Sequence, residues 1–151
     1  MKTQTRRLSV LVFATVAAGI ASTAAAHHSF AALYDANKPI RLVGRLTKIE
    51  WTNPHSFFHV DVKGSDGQVR SWAIEGAGPG ALSRRGFKQG DVKIGDTLIV
   101  AGYLAKSGAR LVDGRLVTLP DGRIINGGTP GDGGPGAVSY THLTLPTIYS
   151  V

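Results

Sequence analysis

Not one cysteine occurs among the 151 residues. That single absence excludes disulfides, thiolate metal sites, a catalytic thiol and a lipidated N-terminal cysteine. Methionine is nearly as scarce. The one copy is Met1, so no soft thioether set for copper(I) survives removal of the N-terminus. No acidic residue precedes Asp35. Internal repeats are missing, and no phosphate-cradling glycine loop sits between a strand pattern and a helix pattern. The apolar run at residues 8–20 is shorter than the roughly 20 residues a membrane-spanning helix needs.

That run belongs instead to a signal peptide over residues 1–26. Lys2, Arg6 and Arg7 form its charged start, and Ala24, Ala25 and Ala26 supply the small residues at a cleavage site. The Arg6-Arg7 pair raises a twin-arginine route, but the residues after it fit general secretion better. Cleavage after Ala26 leaves a mature chain that begins His27-His28-Ser29-Phe30 in the periplasm or outside the cell, with no stable membrane anchor. Three of the seven excess positive charges leave with the signal. The remaining mild basicity suits anionic partners without requiring nucleic acid, and export speaks against nucleic acid.

Residues 27–39 read as a polar lead-in, and residues 40–126 as one β-domain. Ile40, Leu42 and Leu46 share a face of a first strand, with Gly44 marking a bulge or bend. The second strand carries the clearest alternation in the chain. Phe58, Val60 and Val62 fall on one face, and Phe57, His59 and Asp61 on the other. A turn through Gly64 and Gly67 leads to a third strand holding Arg70, Trp72 and Ile74 on one face. Pro79 then opens a short helix that Gly86 ends. Two further strands and a short piece at Ile124-Ile125 follow. Three strands, a helix and two more strands is the order of an OB barrel, so the expected fold is all-β. It is a small five- to six-stranded antiparallel OB-like barrel with one short helix between strands three and four.

Residues 127–136 (GGTPGDGGPG) read as a flexible, disordered tail by composition. Residues 138–151 resemble the translation of a sequencing adapter and read as a non-native extension, so His142 receives no role.

In an OB fold, ligands meet strands two and three and the flanking loops. That rule singles out Trp51, Asn53 and His55 in the proline-locked loop before the second strand, with Trp72 and Lys106. Those residues form a candidate surface for an envelope glycan, an anion or a partner protein. His27 and His28 suggest a different chemistry. A free α-amine and imidazole nitrogens on one ion suit copper, and His55 can add a further nitrogen. His55 and His59 lie about 13 Å apart along a strand, too far to share one metal easily. Catalysis has little support. Ser56 and His55, adjacent on a strand, point to opposite faces and form no triad. Glu50, Asp61 and Glu75 show no pairing in their spacing.

The stretches HHSFAALYDANKPI, GRLTKIEWTNPH, LSRRGF, KIGDTLIVAGYLAK and VTLPDGR together resemble a family of small exported bacterial proteins catalogued as domain of unknown function 6152. The resemblance covers His27 to about Gly128. It implies an exported β-barrel and carries no established activity with it. Two functions are therefore expected in competition. One is a periplasmic metal-binding module, with copper at His27, His28 and His55. The other is a glycan-, anion- or protein-binding module.

Overall fold

The structure, a computed structural model, describes residues 30–135. The signal peptide, His27, His28 and the segment 138–151 lie outside the described residues. A single helical turn, α1 (Phe30–Leu33), leads into the long strand β1 (Tyr34–Glu50). Strands β2 (His55–Lys63) and β3 (Val69–Ala77) follow. Next come helix α2 (Pro79–Arg84), a 3₁₀ turn (Gln89–Asp91), and strands β4 (Thr97–Ala105), β5 (Leu111–Thr118) and β6 (Ile124–Asn126). The fold is all-β with few short helices, and α2 lies between the third and fourth strands as expected.

The six strands form one sheet in the order β3-β2-β1-β4-β5-β6, and an additional β3–β5 pairing closes five of them into a ring. Every pairing is antiparallel except that closing one, where Ala73, Ile74 and Glu75 run parallel to Leu111, Val112 and Asp113. Strand β4 takes one edge of β5. The other edge is shared, with β3 along its first half and β6 along its second.

The alternation of β2 survives intact. Phe58, Val60 and Val62 are buried in the ring with Leu42, Leu46, Ile74, Leu98, Val100 and Val112. Leu82 of α2 and Phe87 just beyond it plug one end of this core, where Phe87 stacks on Phe58 at 5.5 Å. The turn after β2 forms as expected, with Gly67 at φ 78°, a region open to glycine. Gly44 does not make the bulge expected of it. The register shift between β1 and β2 falls at Leu46/Lys48. Gly44 instead lets Val60 and Val62 approach, since a Cβ there would lie 2.9 Å from a side-chain carbon of each.

Two boundaries differ from the sequence reading. The lead-in is partly strand: Tyr34 pairs with Ala105 and Pro39 with Tyr103, because β4 offers a free edge beyond Ile40. Pro39 sits at a register shift, where a missing N–H costs the ladder little. The glycine-rich tail also departs from expectation, since residues 127–135 are sewn onto the ring. The Gly127 carbonyl accepts from the Ala77 N–H at 2.6 Å, and Arg85 donates to the Gly128 carbonyl at 2.6 Å. Its glycines make room rather than looseness. A Cβ on Gly128 would lie 2.7 Å from Arg115 Nη1, and one on Gly134 would lie 2.8 Å from the Phe30 ring.

Candidate functional site

The closing seam of the ring carries the chemistry. Ile74 and Val112 point inward, so period two turns their neighbours Glu75 and Asp113 outward, side by side across the parallel pair. On the next strand His55 is paired with Ala77, two residues along from Glu75, which makes His55 and Glu75 diagonal neighbours on one face. His55 Nδ1 lies 3.1 Å from Glu75 Oε1 and 3.1 Å from Thr129 Oγ1. The phenol of Tyr34, at the start of β1, donates to the other oxygen of Glu75. Both His55 and Glu75 side chains are only 13% exposed.

Beside this chain stands a second, ionic one. Arg115 Nε donates to Asp113, and Arg115 Nη2 donates to Asp132 at 2.7 Å. The guanidinium lies 5.0 Å over the ring of Phe30, a cation–π contact. Phe30 stacks on Tyr34, meets Tyr103 edge-on at 5.4 Å, and donates its N–H to the Asp132 carbonyl at 2.8 Å. Phe30, Tyr34, Tyr103 and Ala105 thus form a small apolar cluster outside the ring, separate from the main core. Residues 127–135 lie against the same seam, through Thr129 at His55 and Asp132 at Arg115 and Phe30.

Burial sets the electrostatics. It pushes the Asp113 carboxyl up to about 6, against the opposing pull of Arg115. Burial, then the hydrogen bond to Glu75, pushes the Tyr34 phenol well above the ordinary tyrosine range, so it remains a proton donor. Two carboxylates, Asp113 and Asp132, face one guanidinium here.

Of the residues singled out from sequence, His55 alone stands in this seam. Trp51 packs edge-on against Phe58 and Phe87, with centroids 6.2 and 5.6 Å away. Asn53 is exposed, and its Oδ1 lies against Gly78, where an added Cβ would come within 3.0 Å. Trp72 is paired with Val60 toward the far end of the β2–β3 hairpin. There it lines a cleft of about 370 Å³ with Val62, Gly64 and Arg70. Lys106 donates to the Ala31 carbonyl at 2.5 Å and borders a separate cleft of about 460 Å³ beside Phe30 and Tyr34. His27 and His28 lie outside the described residues. His59 is engaged elsewhere, 2.8 Å from Glu50. Ser56 turns into the core away from His55, as strand alternation requires, and its Oγ has no hydrogen-bond partner among the described residues. Among the described residues, no three histidine or carboxylate side chains converge as a ready metal site.

Sequence reasoning missed Tyr34, Asp113, Arg115, Thr129 and Asp132, and set aside Glu75, whose partners His55 and Tyr34 its spacing did not show. One signal was available. Asp113 and Arg115 put two charges on one face of an otherwise apolar strand, a pattern that calls for covered partners.

The chain matches the Family of unknown function (DUF6152) over residues 15–113, more than half its length, and belongs to that family. The matched stretch includes Tyr34, His55, Glu75 and Asp113 and stops short of Arg115, Thr129 and Asp132. No curated protein and no solved structure matches the chain.

Proposed function

We propose that the protein is exported and binds a transition metal ion, copper(II) foremost, through His55 together with His27 and His28 at the processed N-terminus. The observation that carries this reading is the state of His55. Its Nδ1 is held by Glu75 and Thr129, while Nε2 has no hydrogen-bond partner among the described residues. A histidine whose one nitrogen is engaged by a carboxylate while the other is free is the usual arrangement of a metal-ligating imidazole. Phe30 supports the same reading, because its anchoring in the cluster starts the chain two residues after His28 at the seam. Imidazole nitrogens and an α-amine are a donor set that copper(II) binds most tightly among the divalent first-row metals. Copper bound there would supply a Lewis-acidic or redox-active centre, and no reaction is assigned to it.

The test is copper(II) titration at neutral pH on protein beginning at His27, beside a version with one added N-terminal glycine and a His55→Ala variant. Weaker binding in both altered proteins is expected. Equal affinity in all three would overturn the site. The second reading, a module for an envelope glycan, anion or partner protein, would then come first. Its support is the cleft that Trp72 and Arg70 line.

A further inference from the structure

Glu75 has both carboxylate oxygens committed. Oε2 accepts the Tyr34 phenol proton, and Oε1 lies 3.1 Å from His55 Nδ1. A carboxylate can only accept hydrogen bonds, whereas the Thr129 hydroxyl on the same Nδ1 can donate or accept. Thr129 therefore accommodates either form of the ring, and Glu75 does not. Were Nδ1 bare, its lone pair would face a carboxylate oxygen between two side chains each 13% exposed, where repulsion is weakly screened. With the proton on Nδ1, the same geometry is attractive.

Tyr34 makes the arrangement one-directional. Its phenol is pushed well above the ordinary range and stays a donor, so Glu75 Oε2 accepts from it and the carboxylate is held in place. The chain of atoms runs from β1 through β3 to β2. It ends at an imidazole whose Nε2 has no hydrogen-bond partner among the described residues.

We infer that Glu75 is a positioning residue that holds neutral His55 in the Nδ1–H tautomer, so that Nε2 is the nitrogen presented to a ligand. The value of this for metal binding rests on the proposed copper site. The tautomer assignment does not.

The test is nitrogen-15 NMR of the His55 ring in metal-free protein, above the ordinary histidine range of about 6.5. The ring is identified by its absence from a His55→Asn variant. Wild type is expected to show the proton on Nδ1, and a ring protonated on Nε2 overturns the inference with no variant needed. In Glu75→Ala the Nδ1–H form should lose its dominance while Thr129 remains, and an unchanged tautomer there overturns it as well. Copper affinity in Glu75→Ala should fall about 10- to 100-fold, the usual effect of removing such a partner. An Nδ1–H ring in a protein that binds no copper would support the inference and sink the copper reading alone.

Discussion

Strand β2 carries two histidines on its outer face, and each has a glutamate. His55 meets Glu75, and His59 meets Glu50 at 2.8 Å. The residue types, the strand and the distances are nearly the same, yet the two pairs differ in what surrounds them. Each side chain of the first pair is 13% exposed; in the second the histidine is 27% and the glutamate 37% exposed. Glu50 also shares its oxygen with Lys48, at 2.7 Å. Around the first pair, by contrast, Thr129 meets the same His55 nitrogen, Tyr34 donates to the far oxygen of Glu75, and Arg115 binds the covering segment through Asp132. An exposed pair competes with water and mobile ions and contributes little. A covered pair has its orientation imposed on it. Cover, rather than pairing, separates a candidate site from a decorated surface.

The strongest way to break the comparison is to remove what holds the cover down. Arg115→Met deletes the guanidinium between Asp113 and Asp132, both nearly buried, and leaves their charges without a partner. Breaking such a buried pair costs about 3–5 kcal/mol, and that loss is expected in urea unfolding at neutral pH. A loss below about 1 kcal/mol would show that the cover stands without Arg115.

A second experiment uses pH, because the two regions bend the stability profile in opposite directions. Burial raises the Asp113 carboxyl from its ordinary 3.8 to about 6. Between those values the folded protein holds a proton that the unfolded chain has released. Its contribution is therefore fully present below about 3.8 and lost as pH rises through about 6. Glu50 has the opposite sign. Lys48, then His59, hold its carboxyl below the ordinary value, so its small contribution is present at neutral pH and lost in acid. Asp113→Asn should flatten the decline between pH 4 and 6, about the span of the shift, in a series of urea melts. A profile identical to wild type would mean that Asp113 does not titrate there.

The smallest effect is expected at the more exposed pair. Glu50→Gln should leave the melting temperature unchanged within the scatter of repeated scans, since water already satisfies much of what is lost. A drop of several degrees would erase the distinction drawn between the two histidines.

Much of the frame was legible because it is local. The inward set Phe58, Val60 and Val62 follows from period two, and the helix at Pro79 from the fixed φ of proline. Trp51 was harder, since the same residue serves as a stacking platform or as packing. It became packing because Phe87, 36 positions later by the numbering, comes up against it. Residues 127–135 were misjudged for a plainer reason. Glycine marks freedom in an isolated chain, but here it marks close approach, with Arg115 flat against the backbone at Gly128 and Gly134.

The sequence by itself determined the all-β character, the strand faces, the turn through Gly64 and Gly67, and the exclusion of every thiol-based chemistry. Those properties rest on sterics and side-chain alternation within a few neighbouring residues. Only the tertiary structure decided the seam. Tyr34 meets Glu75 across 41 positions, and His55 meets Thr129 across 74. Both meetings depend on the parallel closure of β3 on β5, which no nearby residue announces. Such a closure is stabilised by the whole ring at once, through the shared burial of its inward side chains. The partners of His55 therefore became visible only when the strands were in place.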